Sequence, residues 1–138
     1  MTTPPEGSLG VFAYRSQAAS GLTRETIATL VGESWKFNLS NRMTGLLMFE
    51  DGRFQQVLEG RMSALSTLVA AILADPRHEC IEVTRYGLAE ERLCENWTVS
   101  GFDGILSGPS ATGAHQQRVG EIVRSGVFEA PAGPRVSF

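Results

Sequence analysis

Thr44-Gly45-Leu46-Leu47-Met48-Phe49-Glu50-Asp51-Gly52-Arg53-Phe54-Gln55-Gln56-Val57-Leu58-Glu59-Gly60 is the stretch whose reading decides the fold of this chain. At its centre Asp51-Gly52 is a pair that accepts the left-handed backbone of a two-residue hairpin. The apolar run Leu46–Glu50 and the run Arg53–Glu59, which ends at Gly60, therefore read as paired strands. Side chains alternate along a strand, so Phe54, Gln56 and Leu58 share one face. That places an amide between two apolar neighbours on a surface that should be buried. Unpaired, it would cost about 1–3 kcal/mol, so Gln56 needs a partner.

Working outward, Leu9–Arg15 reads as a strand, with Leu9, Val11 and Ala13 alternating against Gly10, Phe12 and Tyr14. Gly21 and Thr23 open a helix, Thr23 as its N-cap, with a stripe through Ile27, Leu30, Val31, Ser34 and Asn38. After the hairpin, Leu65, Leu68, Val69 and Ile72 mark a second helix from about Ser63 to Ala74, stopped by Pro76. Ile81–Tyr86 and Trp97–Phe102 read as strands joined by the charged segment Ala89–Glu95. The order β-α-β-β-α-β-β predicts an α+β fold, a ferredoxin-like sheet with one added strand. Both helices lie on one face, so the other face needs cover. A helix near residues 115–126, carrying Val119, Ile122 and Val123, is the expected cover. The division is a leader over 1–8, a domain over 9–103 and an extension over 104–138, whose Pro- and Gly-rich tail is unassigned.

Composition narrows the function. The chain has 138 residues, a formal charge of −3 and 42% hydrophobic residues, enough for one core. No basic stripe suggests nucleic acid, and no apolar run suggests a membrane span. The first ten residues lack the pattern of a signal peptide, so a cytoplasmic location is expected. Cys80 and Cys94 lie in no CxxC motif and the two histidines are His78 and His115, so no metal site is expected.

Three elements carry polar groups on surfaces that should be buried: Tyr14 on the first strand, Ser34 and Asn38 on the first helix, and Gln56 on the third strand. One such residue would find a partner in the core. Several facing one space suggest a planar, polar ligand.

The ordered set of motifs closely resembles BLUF domains. The Thr44-Gly45-Leu46-Leu47 strand, the Asp51-Gly52 hairpin and Phe54-Gln55-Gln56-Val57-Leu58-Glu59-Gly60 match the centre of that family. Tyr14-Arg15-Ser16 is similar to its opening, Asp75-Pro76-Arg77-His78 to its turn after the second helix, and Trp97 to its last-strand tryptophan. The likeness runs from Leu9 to Phe102. It implies a blue-light photoreceptor, not an enzyme, that holds flavin non-covalently, usually FAD, with FMN or riboflavin as alternatives. By the same likeness Asn38 bonds the pyrimidine edge of the ring, Ser34 and Phe37 line the pocket, and Gln56 lies between Tyr14 and the flavin. Arg77 and His78 close the far end, and Trp97 with residue 99 relays the change. A homodimer or larger assembly and a separate downstream signalling protein are the implied partners.

Two positions depart from the pattern. Val99 stands where the family usually has Met, and Phe37 where Asn or His is common. These departures leave room for a flavin-free interaction module of the same fold. A small acylphosphatase-like hydrolase is a third reading, but no glycine-rich anion loop here carries the arginine it needs.

Overall fold

The computed structural model describes residues 7–101 and 136–137. Along the chain these are β1 (Leu9–Ala18), α1 (Arg24–Ser40), β2 (Thr44–Glu50), β3 (Arg53–Arg61), α2 (Met62–Ala74), β4 (His78–Leu88), β5 (Trp97–Ser100) and β6 (Val136–Ser137). The sheet order is β5-β2-β3-β1-β4-β6. Along β2-β3-β1-β4 each strand is antiparallel to its neighbour, and β5 joins β2 in parallel. This is the ferredoxin-like α+β arrangement read from the sequence, with the extra strand on the β2 edge.

Local chemistry sets several boundaries. Asp51 and Gly52 have φ of 53° and 74°, the left-handed pair that the hairpin demands. Gly45 has φ of 146°, and a Cβ there would lie 1.9 Å from the carbonyl oxygen of Val57, so only glycine lets β2 approach β3. Thr23 caps α1, its Oγ1 accepting from the Thr26 amide at 3.1 Å. Polar Ser16 and Gln17 masked the end of β1, which runs three residues beyond the expected Arg15. β4 begins at His78, ahead of the expected Ile81, and β5 stops at Ser100. The two-residue β6 pairs with β4 from the tail left unassigned.

The sheet is buried on both faces. Phe12, Tyr14, Leu47, Phe54, Leu58 and Trp97 pack under the helices with Ile27, Val31, Leu65 and Val69. Val11, Ala13, Leu46 and Val57 form a smaller core on the opposite face with Cys94, flanked by Ala89 and Leu93. Among the described residues, cover there comes from Ala89, Leu93 and Cys94 in the charged segment between β4 and β5. To carry the chain from β4 to β5, on opposite sides of the sheet, residues 89–96 cross that face. The expected helix near 115–126 and the leader lie outside the described residues, apart from Gly7 and Ser8.

Candidate functional site

The centre of the site is a row of strand positions. Tyr14 on β1 and Leu47 on β2 lie directly opposite Gln56 of β3 on its two sides, and Val99 of β5 follows beyond Leu47. Gln56 and Tyr14 both point beneath the helices, where each is nearly buried. The Gln56 Nε2 donates to the Tyr14 phenol oxygen at 2.7 Å. Its Oε1 accepts from the Trp97 indole Nε1 at 3.2 Å. The amide is therefore satisfied at both ends, as its burial requires. Trp97, rather than the neighbouring Val99, makes that contact with Gln56. Val99 packs against the core.

A cleft opens beside this trio, lined from α1 by Leu30, Ser34 and Asn38, from α2 by Leu68 and Ile72, and from below by Tyr14, Gln56 and their neighbours. Its free space is about 60 Å³, smaller than a ligand of three fused rings, so its walls must move apart to hold one. Asn38 is 1% exposed, yet its side-chain Oδ1 has no hydrogen-bond partner. A buried, unmatched carbonyl oxygen on the cleft wall is an acceptor awaiting a donor. Ser34 lines the same wall, with its hydroxyl donating to the Leu30 carbonyl at 2.9 Å. Phe37 packs against the core and is not among the residues that line the cleft.

The far end is held by the turn after α2. His78 is bonded through both ring nitrogens, to the Ile72 carbonyl at 2.6 Å and to Ser16 Oγ at 2.7 Å. A carbonyl only accepts, so Nε2 carries a proton, and in the neutral ring Nδ1 then accepts from Ser16 Oγ. Arg77 forks onto Asp75 at 2.7–3.1 Å and reaches Glu33 of α1 at 3.1 Å. It thereby ties the two helices together at the mouth of the cleft. Burial would push the Asp75 carboxyl up, but its bonds from Arg77 hold it below the usual range. Burial drives the Tyr14 phenol well above its ordinary range, against the smaller downward pull of Gln56, so it is held neutral.

Sequence reading missed one buried group altogether. Glu59, 1% exposed on the opposite face of β3, accepts from the Leu93 amide at 2.6 Å, the Cys94 amide at 3.1 Å and Thr44 Oγ1 at 2.9 Å. Its signal was present: an acid alternating with Val57 on a buried face.

Comparison with known proteins places these features in a family. The chain belongs to the BLUF family, sensors of blue-light using FAD, whose model matches residues 9–100. It carries a flavin-based light-sensing module rather than a catalytic one. It is 33% identical over 88 residues to the photoactivated adenylate cyclase subunit alpha of Euglena gracilis, covering 64% of this chain and 9% of that protein. It is 38% identical over 74 residues to the alpha-like protein FB of the same organism, covering 54% and 7%. The chain thus spans about a tenth of the length of these curated relatives. Among solved structures, Klebsiella pneumoniae BlrP1 matches at TM-score 0.63 and 26% identity, over 89% of this chain and 30% of that one. The dark-state structure of BlrB, a BLUF protein, shares the fold at TM-score 0.64 and 22% identity, over 87% and 84%. Neither the flavin-free nor the hydrolase alternative is favoured by these likenesses. Among the described residues no helix is long and apolar enough to cross a membrane, and no cluster of His, Cys, Asp or Glu could hold a metal.

Proposed function

We propose that the cleft between α1 and α2 holds one non-covalent flavin, FAD in the first instance, and that Tyr14 and Gln56 form the light-driven switch. The observation that carries this reading is the Gln56 amide, buried between a phenol and an indole beside a cleft whose wall presents the unmatched Asn38 oxygen. That oxygen suits the imide N–H of a flavin's pyrimidine edge, and Ser34, His78 and Arg77 bound the rest of the space. When bound, the flavin supplies a chromophore that takes up blue light and becomes a strong oxidant.

The chain's own part follows from the amide. Gln56 has a donor end and an acceptor end, so it can occupy the same space in two arrangements. In the present one Nε2 faces Tyr14 and Oε1 faces Trp97. With the ends exchanged, Tyr14 donates to Oε1, and Nε2 meets the indole N–H donor to donor. Trp97 then loses its acceptor, a loss of about 1–3 kcal/mol for a buried donor, and β5 must adjust. The switch is thereby read out on the edge strand. Val99, which lacks a thioether acceptor, leaves Trp97 as the natural reporter at this edge. A separate signalling protein would receive the change, with a homodimer or larger assembly as the working unit. The photoactivated adenylate cyclase subunits among the relatives support coupling of such a module to an effector.

Tyr14→Phe tests the reading. The variant is expected to keep its flavin and lose the reversible red shift under blue light, because the phenol is gone while the cleft is intact. A normal shifted state in Tyr14→Phe would remove Tyr14 from the switch.

A further inference from the structure

We infer that Glu59 is a positioning residue for the switch, acting from the far face of the sheet by fixing where the crossing segment delivers Trp97. This rests on the reading of Gln56 and Trp97 given above. β3 carries Gln56 on one face and Glu59, three residues on, on the other. The Glu59 carboxylate grips the amides of Leu93 and Cys94, four and three residues before Trp97. Thr44 donates to the same carboxylate, and Arg92 ties the segment further, donating to the Glu59 carbonyl at 3.1 Å and to Thr44 Oγ1 at 2.7 Å. The Asn96 carbonyl then accepts from the Gly45 amide at 3.0 Å, and Trp97 enters the sheet opposite Gly45.

The positions held in this way, Arg92, Leu93, Cys94 and Asn96, all lie within five residues of the indole that they place. A buried carboxylate is costly to desolvate, and here two amides and a hydroxyl offset that cost. The arrangement demands an acceptor at both oxygens. In Glu59→Gln the shape is retained, but one oxygen becomes an NH2 group. Whichever way that amide turns, a backbone N–H of Leu93 or Cys94 faces a donor. The crossing segment loosens, and the Trp97 indole is held less firmly against Gln56. The dark arrangement therefore loses support relative to the exchanged one.

The test compares wild type, Glu59→Gln, Thr44→Val and Leu65→Val. Thr44→Val removes one of the carboxylate's bonds and serves if Glu59→Gln fails to fold. Leu65→Val weakens the helix-side core without touching the crossing segment. In the dark, hydrogen exchange at the Leu93, Cys94 and Trp97 amides should quicken about tenfold in the first two variants and stay as wild type in Leu65→Val. Once illuminated, those two variants should still form the red-shifted state but return to the dark state about threefold more slowly or more, with Leu65→Val unchanged. Dark-state exchange needs no photochemistry, so it judges the grip of Glu59 even if the proposed switch is wrong. Wild-type exchange at 93–97 in Glu59→Gln, or in Thr44→Val if the former is unfolded, overturns the inference. Faster exchange with unaltered recovery overturns its link to the switch. An absent red shift in the wild type would count against the proposed switch instead.

Discussion

The Gln56 side chain donates to the Tyr14 phenol across 2.7 Å from the position directly opposite it on the neighbouring strand. The pairing is fixed by strand register rather than by flexible loops, so neither group can drift from the other. What remains adjustable is the direction of the amide, and Trp97 on the added strand reports that direction.

Asn38 separates stability from binding. Its oxygen is buried and unmatched, which costs folding free energy unless a ligand supplies a donor. Asn38→Leu is therefore expected to stabilise the flavin-free protein by about 1 kcal/mol while weakening flavin binding about tenfold or more. Thermal unfolding of the apoprotein and a flavin titration check the two halves. A flavin affinity equal to wild type would show that Asn38 does not bond the ring.

Tyr14 predicts an alkaline limit. Its phenol is raised above the ordinary value of 10.0 by burial, so folding holds the proton more tightly than the unfolded chain does. That contribution is fully present below pH 10 and is lost as pH rises from there through the raised folded value. The unfolding free energy of Tyr14→Phe should consequently fall less steeply with pH above about 10. Denaturant midpoints measured from pH 8 to 11.5 decide it, and parallel curves would deny Tyr14 a part in the decline.

Asp75 works at the other end of the scale. Its carboxyl is lowered in the folded chain, so its contribution is present above the unfolded value and lost as pH falls through the folded one. Asp75→Asn should flatten the acid branch of the stability curve. Because Asp75 orients Arg77 across the cleft mouth, the variant should also release flavin faster in a stopped-flow chase. Unchanged release would mean that the Arg77–Glu33 contact alone holds that end.

Trp97 sets the balance of the two arrangements. Trp97→Phe removes the bond to Gln56 in the present arrangement and the donor conflict in the exchanged one. Both effects favour the exchanged state, so dark recovery should slow about tenfold, a barrier change near 1.4 kcal/mol. Val99→Met brings a thioether toward the same amide and should alter recovery by a smaller factor. Recovery in Trp97→Phe as fast as in wild type would make the indole a bystander.

What the sequence disclosed was chiefly local. Asp51-Gly52 specifies its own turn, Thr23 its own cap, and the alternation of Phe54, Gln56 and Leu58 its own face. The cleft-facing positions of Tyr14, Ser34, Asn38 and Gln56 could be read because each interrupts an apolar pattern. The crossing of residues 89–96 could not, since Glu90, Glu91 and Arg92 make the segment look wholly solvated while Ala89, Leu93 and Cys94 touch the core. Glu59 was legible only as an acid alternating with Val57, because two of its partners are backbone amides 34 and 35 residues away, which leave no side-chain signature. The bond between Gln56 and Trp97 likewise depends on the parallel pairing of β5 with β2, a long-range choice that no local pattern encodes.

The light-minus-dark absorption spectrum of the wild-type chain beside Gln56→Leu tests the central claim most directly. Leu fills similar space without a donor or acceptor, so both proteins should hold flavin. The wild type should show a small red shift under blue light that reverses in darkness, and Gln56→Leu should show none. A red-shifted state in Gln56→Leu equal to that of the wild type, or a flavin-loaded wild type that does not shift at all, would contradict the account.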